Sequence, residues 1–370
     1  MPPPSTRTPG AAELTFEPTR EPQPNRYNLG LRFGTCYVEH CIMRTQLLLC
    51  TACRAVKYCS PEHQRSDWPR HKSQCKLIKP ARDELSRLEA KLRADYAEEN
   101  GDPDLDPFTD PECRGRFWFI PETRPYMQAR HDVMSATLNI RSGEALEAAL
   151  DHCLEMLQLC RGDNLGVRDQ IPPLMLRLGR DQEAYDFIRW YMDVPDTYEW
   201  HNTELLFLDV HNADALADLS DGALRKCSLS HLACLVNLKA RLVRDLRMLI
   251  REGRKLGNRT ADYSKKMEWV REDACSDILY NRRDILEKDL TSLKELEEAV
   301  TTQLKKIHRK VKDKNKHYWP GLQHPERYSH ALPTAYAPGS PQEVILVFRY
   351  TWYMWSEDED TLKLVKSLGA

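Results

Sequence analysis

The chain has 370 residues, of which 41% are hydrophobic, with 12 cysteines and 23 prolines against 15 glycines. At about 100 to 200 residues per domain, this length makes room for two or three folding units and at least one buried core, which excludes a disulfide-dependent miniature. A balance of 54 Lys plus Arg against 56 Asp plus Glu, formally −2, gives no global positive field to steer the chain onto nucleic acid or anionic lipid.

No stretch approaches the ~20 consecutive apolar residues a membrane span needs, and the chain opens on a polar, proline-rich segment instead of an apolar leader. A soluble protein of the cytoplasm and/or nucleus is expected. Residues 1–33 hold seven prolines (Pro2, Pro3, Pro4, Pro9, Pro18, Pro22 and Pro24) and few large apolar groups. Such a segment buries too little surface to offset its ordering entropy, so it reads as a disordered tail.

The next segment, 34–77, contains half of the cysteines: Cys36, Cys41, Cys50, Cys53, Cys59 and Cys75, with His40, His63 and His71 among them. In a reducing compartment this density points to metal before disulfides. Six thiols among mostly polar residues have no core to enter without one. The spacing is Cys36-x4-Cys41-x8-Cys50-x2-Cys53-x5-Cys59-x3-His63-x7-His71-x3-Cys75. Eight soft or borderline ligands in four sequential pairs fit two tetrahedral Zn²⁺ ions closed on all four sides. Ser60-Pro61 supplies a helix cap and a first-turn proline. Pro69 predicts a break, with a second short helix carrying His71 and Cys75 on one face.

The string Lys57-Tyr58-Cys59-Ser60-Pro61-Glu62-His63-Gln64, followed by Asp67-Trp68-Pro69-Arg70-His71-Lys72 and Cys75, resembles the MYND-type zinc finger. The resemblance implies two structural zincs held in a cross-braced manner, first ligand pair with third and second with fourth. One ion would take Cys36, Cys41, Cys59 and His63; the other would take Cys50, Cys53, His71 and Cys75. Two positions depart from the family pattern. The first pair is more widely spaced than usual, so His40 competes with Cys41 as second ligand, and His63 stands where a cysteine is usual. The resemblance also implies a protein-interaction module, with Tyr58, Ser60, Gln64 and Trp68 at the positions that contact proline-containing peptides. Trp68 has a second reading, as packing for the small core.

Beyond the finger the chain reads as mainly α. Residues 78–130 form a helix and an acidic linker: Leu85, Leu88, Leu92 and Tyr96 trace one helical stripe, and eight carboxylates without Lys or Arg run from Asp95 to Glu112. Residues 131–370 read as a helical, partly repeat-like domain. Gly143, Glu147 and Ala148 recur 36 residues on as Gly179, Glu183 and Ala184, which resembles the helix pairs of tetratricopeptide-type repeats. Residues 228–252, with Leu232 to Leu249, predict one helix, residues 263–316 one long helix or two whose stripe from Leu286 to Val311 faces a core, and Ser340-Pro341-Gln342-Glu343 a capped helix through Trp355. The pairs Cys153/Cys160 and Cys227/Cys234 are expected as buried thiols on helix faces.

Three functions compete. The favoured one is a non-enzymatic adaptor with a zinc-braced recognition finger and a helical body, whose partners are other proteins, with no membrane and no direct nucleic-acid surface. A SET-type lysine methyltransferase relative would need a β-rich catalytic domain around the finger and an Asn-His-Ser-Cys step, and none is found. A zinc-dependent transcriptional regulator would use Arg54, Lys57, Arg70 and Lys72, charges that equally offset the zinc-bound thiolates. No nucleophile elbow, phosphate loop or His-Glu-x-x-His occurs.

Overall fold

A computed structural model describes residues 33–256, 263–325, 333 and 335–368; the tail expected at 1–33 lies outside them except for Phe33. Of the described residues 64% are helical, and two short strands occur among them. Strands β1 (Leu48–Leu49) and β2 (Lys57–Tyr58) pair antiparallel, Leu48 opposite Tyr58. Helices α1 (Pro61–Asn100), α2 (Arg124–Thr137) and α3 (Gly143–Leu159) follow. Next come α4 (Ile171–Arg177), α5 (Asp181–Asp193), α6 (Asp221–Lys226) and α7 (Leu229–Lys255). The last are α8 (Tyr263–Asp273), α9 (Arg283–Leu286), α10 (Leu290–Lys314), α11 (Tyr318–Gln323), α12 (Pro341–Ser356) and α13 (Glu359–Ser367).

Helix α1 runs unbroken for 40 residues through Pro69 and Pro80, which corrects the expected break. Each proline removes one N–H and costs an interior helix about 3 kcal/mol in isolation. Both prolines, and Arg65 and Lys76 four residues before them, sit on the exposed face, where the freed carbonyls are accessible to solvent. The inner face is anchored throughout by His71, Cys75, Ile78, Leu85 and Leu92. Tertiary anchoring on one side therefore outweighs the local penalty on the other. The same helix crosses from the cysteine window into the body, with Ile78 packed among the cysteines and Leu85 and Leu92 in the main core.

Helix α7 is the body's central element, buried on nearly every face and packed against α4, α5, α8, α10, α12 and α13. The stripe Leu293, Val300, Leu304, Ile307 and Val311 on α10 is buried, and α7 is the helix it packs on most extensively, so it is core and not an oligomer seam. Gly253 permits the approach: a Cβ there would meet Leu290 Cδ2 at 2.6 Å. Ser340 caps α12 as expected, its Oγ accepting from Glu343 N–H at 3.2 Å.

Three sequence readings are modified. The acidic segment folds back on α1: Phe108 is buried against Tyr126 at 4.8 Å, and Tyr96 donates to Asp110 at 2.6 Å. The helix pairs are uneven, with 17 residues in α3 but 7 in α4, and residues 194–220 after α5 contain no helix. The region is helical, and its uneven pairs do not establish the regular tetratricopeptide unit. Cys160 caps the end of α3 and Cys227 precedes α7, so neither cysteine pair shares a helix face, although all four thiols are buried.

Candidate metal centre

The window's ligands are delivered by three local devices. A turn in which Cys41 N–H donates to the Val38 carbonyl at 3.1 Å, with His40 left-handed at φ 63°, takes up the extra residues of the first pair. It turns Cys41 inward and leaves the His40 side chain 93% exposed, so Cys41 joins the cluster and His40 does not. A tight turn at 50–54, where Arg54 N–H donates to the Cys50 carbonyl at 2.8 Å and Arg54 is left-handed, brings Cys50 and Cys53 together. The third device is α1 itself, begun by Ser60, whose Oγ accepts from His63 N–H at 3.3 Å. His63 and His71 are eight residues apart, which sets the two sites about 12 Å apart along the helix.

The donor atoms of Cys36, Cys41, Cys59 and His63 all lie within 4.8 Å of one another, and so do those of Cys50, Cys53, His71 and Cys75. Tetrahedral Zn²⁺ with bonds of 2.3 Å to sulfur and 2.0 to 2.1 Å to nitrogen requires edges of about 3.8 Å between sulfurs and about 3.6 Å between sulfur and nitrogen. Cys41 and Cys59 sulfurs are 3.9 Å apart, and Cys50 and Cys75 sulfurs 4.0 Å. Cys36 Sγ lies 3.4 Å from His63 Nδ1, and Cys53 Sγ 3.4 Å from His71 Nε2. With Cys59 Sγ 3.1 Å from His63 Nδ1 the shortest edge, both donor sets are close to the dimensions of a zinc tetrahedron, and each can hold a zinc ion on four protein ligands.

The electrostatics favour the same occupant. Hydrogen bonds from Cys53 and His71 hold the Cys50 thiol down to about 3. Desolvation and the nearby Cys36 and Cys41 push Cys59 up to about 11, and desolvation with the Cys50 charge also raises Cys75. Without a cation the cluster is part thiolate, part thiol. A dication removes the mutual repulsion and displaces the remaining protons. With three thiolates per ion each site keeps a net negative charge, and the first lies at the positive N-terminus of α1.

The second layer was not evident from sequence. Tyr58 is buried and donates to Asp67 at 2.7 Å; Asp67 also accepts from Arg70 Nε at 2.7 Å, and Arg70 in turn donates to the Tyr37 carbonyl at 2.9 Å. His71 Nδ1 is buried with no hydrogen-bond partner among the described residues. The ring is fixed instead by Tyr37, Tyr58 and Trp68, each edge-on at 6.2 to 6.4 Å. From the body, Ser142 Oγ donates to the Ala55 carbonyl, Lys57 pairs with Glu144 at 3.2 Å, and Arg82 donates to the Ala52 carbonyl at 2.8 Å. Ile140 and Ala145 pack among the ligand cysteines. Phe33 covers Gly143, where any Cβ would fall 1.9 Å from its ring.

Of the four positions assigned to peptide contact, Tyr58 is interior, Ser60 is the helix cap, Gln64 is half-buried, and Trp68 is exposed on one side of His71.

With this geometry established, residues 36–75 match the family model for the MYND finger. Residues 36–75 form a MYND finger. Two curated proteins are similar over this region. SET domain-containing protein 14 of Caenorhabditis elegans is 48% identical over 44 residues, 12% of this chain and 10% of that protein. Rho GTPase-activating protein gacZ of Dictyostelium discoideum is 49% identical over 41 residues, 11% of this chain and 4% of that one. The likeness to both is thus confined to the finger, and the chain spans a tenth or less of either relative's length. No solved structure matches the chain. Among the described residues no helix is long and apolar enough to cross a membrane.

Proposed function

We propose that the protein is a non-enzymatic adaptor whose MYND finger takes a short, extended, proline-containing segment of another protein, while the helical body offers a second surface. The observation that carries this reading is the outer side of the finger. Strand β1 pairs only with β2 among the described residues, and it carries Leu48, 58% exposed, and Leu49; Ile42, 85% exposed, and Met43 are further exposed apolar residues of the finger. An unpaired strand edge flanked by exposed apolar side chains suits addition of an extended peptide: main-chain bonds give affinity and side-chain pockets give selectivity. Trp68, exposed on α1, supplies an aromatic surface against which proline packs. A zinc closed on four protein ligands has no open position for substrate or water, which favours a structural metal over a catalytic one.

The test is titration of the zinc-loaded protein with a labelled proline-containing peptide and with the same peptide carrying alanine for proline. Saturable binding of the first, weakened at least tenfold by alanine substitution and by Leu48→Asp, supports the reading. Equal binding of both peptides, or no change in Leu48→Asp with its zinc content intact, would contradict it.

A further inference from the structure

The segment after α5 holds an apolar, acidic projection far from the finger in sequence and supported by a different part of the body. Arg161 is nearly buried, and among the described residues no carboxylate lies within 4.0 Å of its guanidinium. It donates instead to the carbonyls of Asn202 at 2.8 Å, Leu205 at 3.0 Å and Thr203 at 3.1 Å, while stacking 4.8 Å over Phe207. Tyr198 donates to the Leu206 carbonyl at 2.9 Å. Four consecutive-turn carbonyls are thereby gathered inward on polar donors, and the side chains between them face out: Leu206 is 71% exposed and Leu205 also exposed. Phe119, 52% exposed, lies edge-on to His201 of the same loop at 4.6 Å.

Leaving large apolar groups in water is unfavourable, and folding has fixed these where a free loop would turn them in. A buried arginine whose partners are three carbonyls and the Tyr198 hydroxyl, with no carboxylate, is likewise a costly way to close a surface loop. The two features together describe a loop held rigid so that its apolar tip stays outside, as an anchor residue is held before it enters a partner's pocket.

The loop's own charges define the partner, since the cations of the segment that packs against it are engaged elsewhere: Arg116 pairs with Glu112, and Arg114 and Arg124 donate to the Phe108 and Trp118 carbonyls. From Asp193 to Asp221 there are eight carboxylates and no Lys or Arg. Several are neutralised by the body: Asp193 by Arg189, Asp214 by Arg282, and Asp218 and Asp221 by Lys306. Glu199 and Glu204, which bracket the tip, are exposed and have no cationic partner within 4.0 Å among the described residues. We propose that Leu205, Leu206 and Phe119 form a docking site for a protein segment that presents an apolar face bordered by Lys or Arg. This site is independent of the finger reading and of its zinc.

The test uses two labelled amphipathic peptides that share one leucine face, one flanked by lysines and one by glutamates, titrated into the full, zinc-loaded chain. The proposal expects saturable binding of the lysine peptide that weakens as salt rises. It also expects at least tenfold loss in Leu206→Asp and in Glu204→Lys, and no change in the finger variant Leu48→Asp. Leu206 and Glu204 are solvent-exposed, so both variants should keep the wild-type unfolding midpoint. Equal binding of the two peptides, no saturable binding, or loss in Leu48→Asp with none in Leu206→Asp would overturn it. A wild-type dimer converted to monomer by Leu206→Asp would also overturn it, by assigning the patch to a second copy of the chain.

Discussion

Removal of zinc tests how the finger is held. Between Cys36 and Ser60 the chain contains four strand residues and no helix, and its links to the body are few: the Ser142 and Arg82 hydrogen bonds, the partly exposed Lys57–Glu144 pair and the contacts of Ile140 and Ala145. Hydrogen bonds of this kind contribute about 1 kcal/mol each and the exposed pair less than about 1 kcal/mol. Ordering a backbone costs roughly 1 to 2 kcal/mol per residue, so these links cannot hold the segment alone. Metal binding, about 10 to 16 kcal/mol in isolated zinc fingers, can. Chelation, or Cys53→Ser, should collapse the dispersed resonances of residues 36–60 in a ¹⁵N–¹H spectrum. Far-UV circular dichroism should keep most of its helical amplitude, because the body packs on its own core. Finger resonances that stay dispersed in a verified metal-free sample would refute the reasoning, and so would loss of the whole helical signal on chelation.

Other consequences are as direct. Ser142→Ala removes both the α3 cap, which accepts from Ala145 N–H at 3.1 Å, and the bond to Ala55; urea unfolding of the zinc-loaded protein should show a loss of about 2 to 3 kcal/mol. Arg241 is buried between Asp181 at 2.6 Å and Asp358 at 3.2 Å, so Arg241→Ala, which strands two buried carboxylates, should cost about 3 to 5 kcal/mol in the same assay. Burial beneath Trp319, and the nearby Lys312 charge, hold His308 down to about 4. The unfolded chain titrates near 6.5, so the native state binds fewer protons between those values, and this contribution is full above about pH 6.5 and lost as pH falls through 4. Asp163 and Asp245, raised by burial to about 6 and about 7, act with the opposite sign. The diagnostic quantity is therefore the stability difference between wild type and His308→Gln, which should shrink on acidification; a difference constant from pH 7 to 4 would contradict it.

Much of the finger was legible because its ligands are close in sequence and their spacing is itself the signal. Cys50-x2-Cys53, Cys59-x3-His63 and His71-x3-Cys75 each need only a turn of chain to converge. What surrounds them was not legible. Ser142 reaches Ala55 across 87 residues, and no spacing rule announces such a contact. Pro69 suggested a break because local propensity carries no information on which side of a helix is anchored. Leucine stripes located α7 and the α10 part of the 263–316 stretch, since burial imposes the helical period along an element, but the shorter α8 and α9 before it read as one run with it. The cysteine pairs seven residues apart suggested shared faces, but a period has meaning only while the helix continues, and α3 ends at Leu159 while α7 begins at Leu229. The docking loop gave no periodic signal: its defining feature is the inward pull of Arg161 on carbonyls about 40 residues later.

The cross-braced assignment of the eight ligands is the centre of the account, and zinc stoichiometry in two double variants tests it most directly. Elemental analysis after dialysis into metal-free buffer to remove unbound metal should find two zinc ions per wild-type chain. Cys36→Ser with Cys59→Ser removes two ligands from one site and should leave one ion. Cys36→Ser with Cys53→Ser damages both sites and should leave none. If the first four ligands shared one ion and the last four the other, the two results would be exchanged, and the arrangement described for this finger would be contradicted.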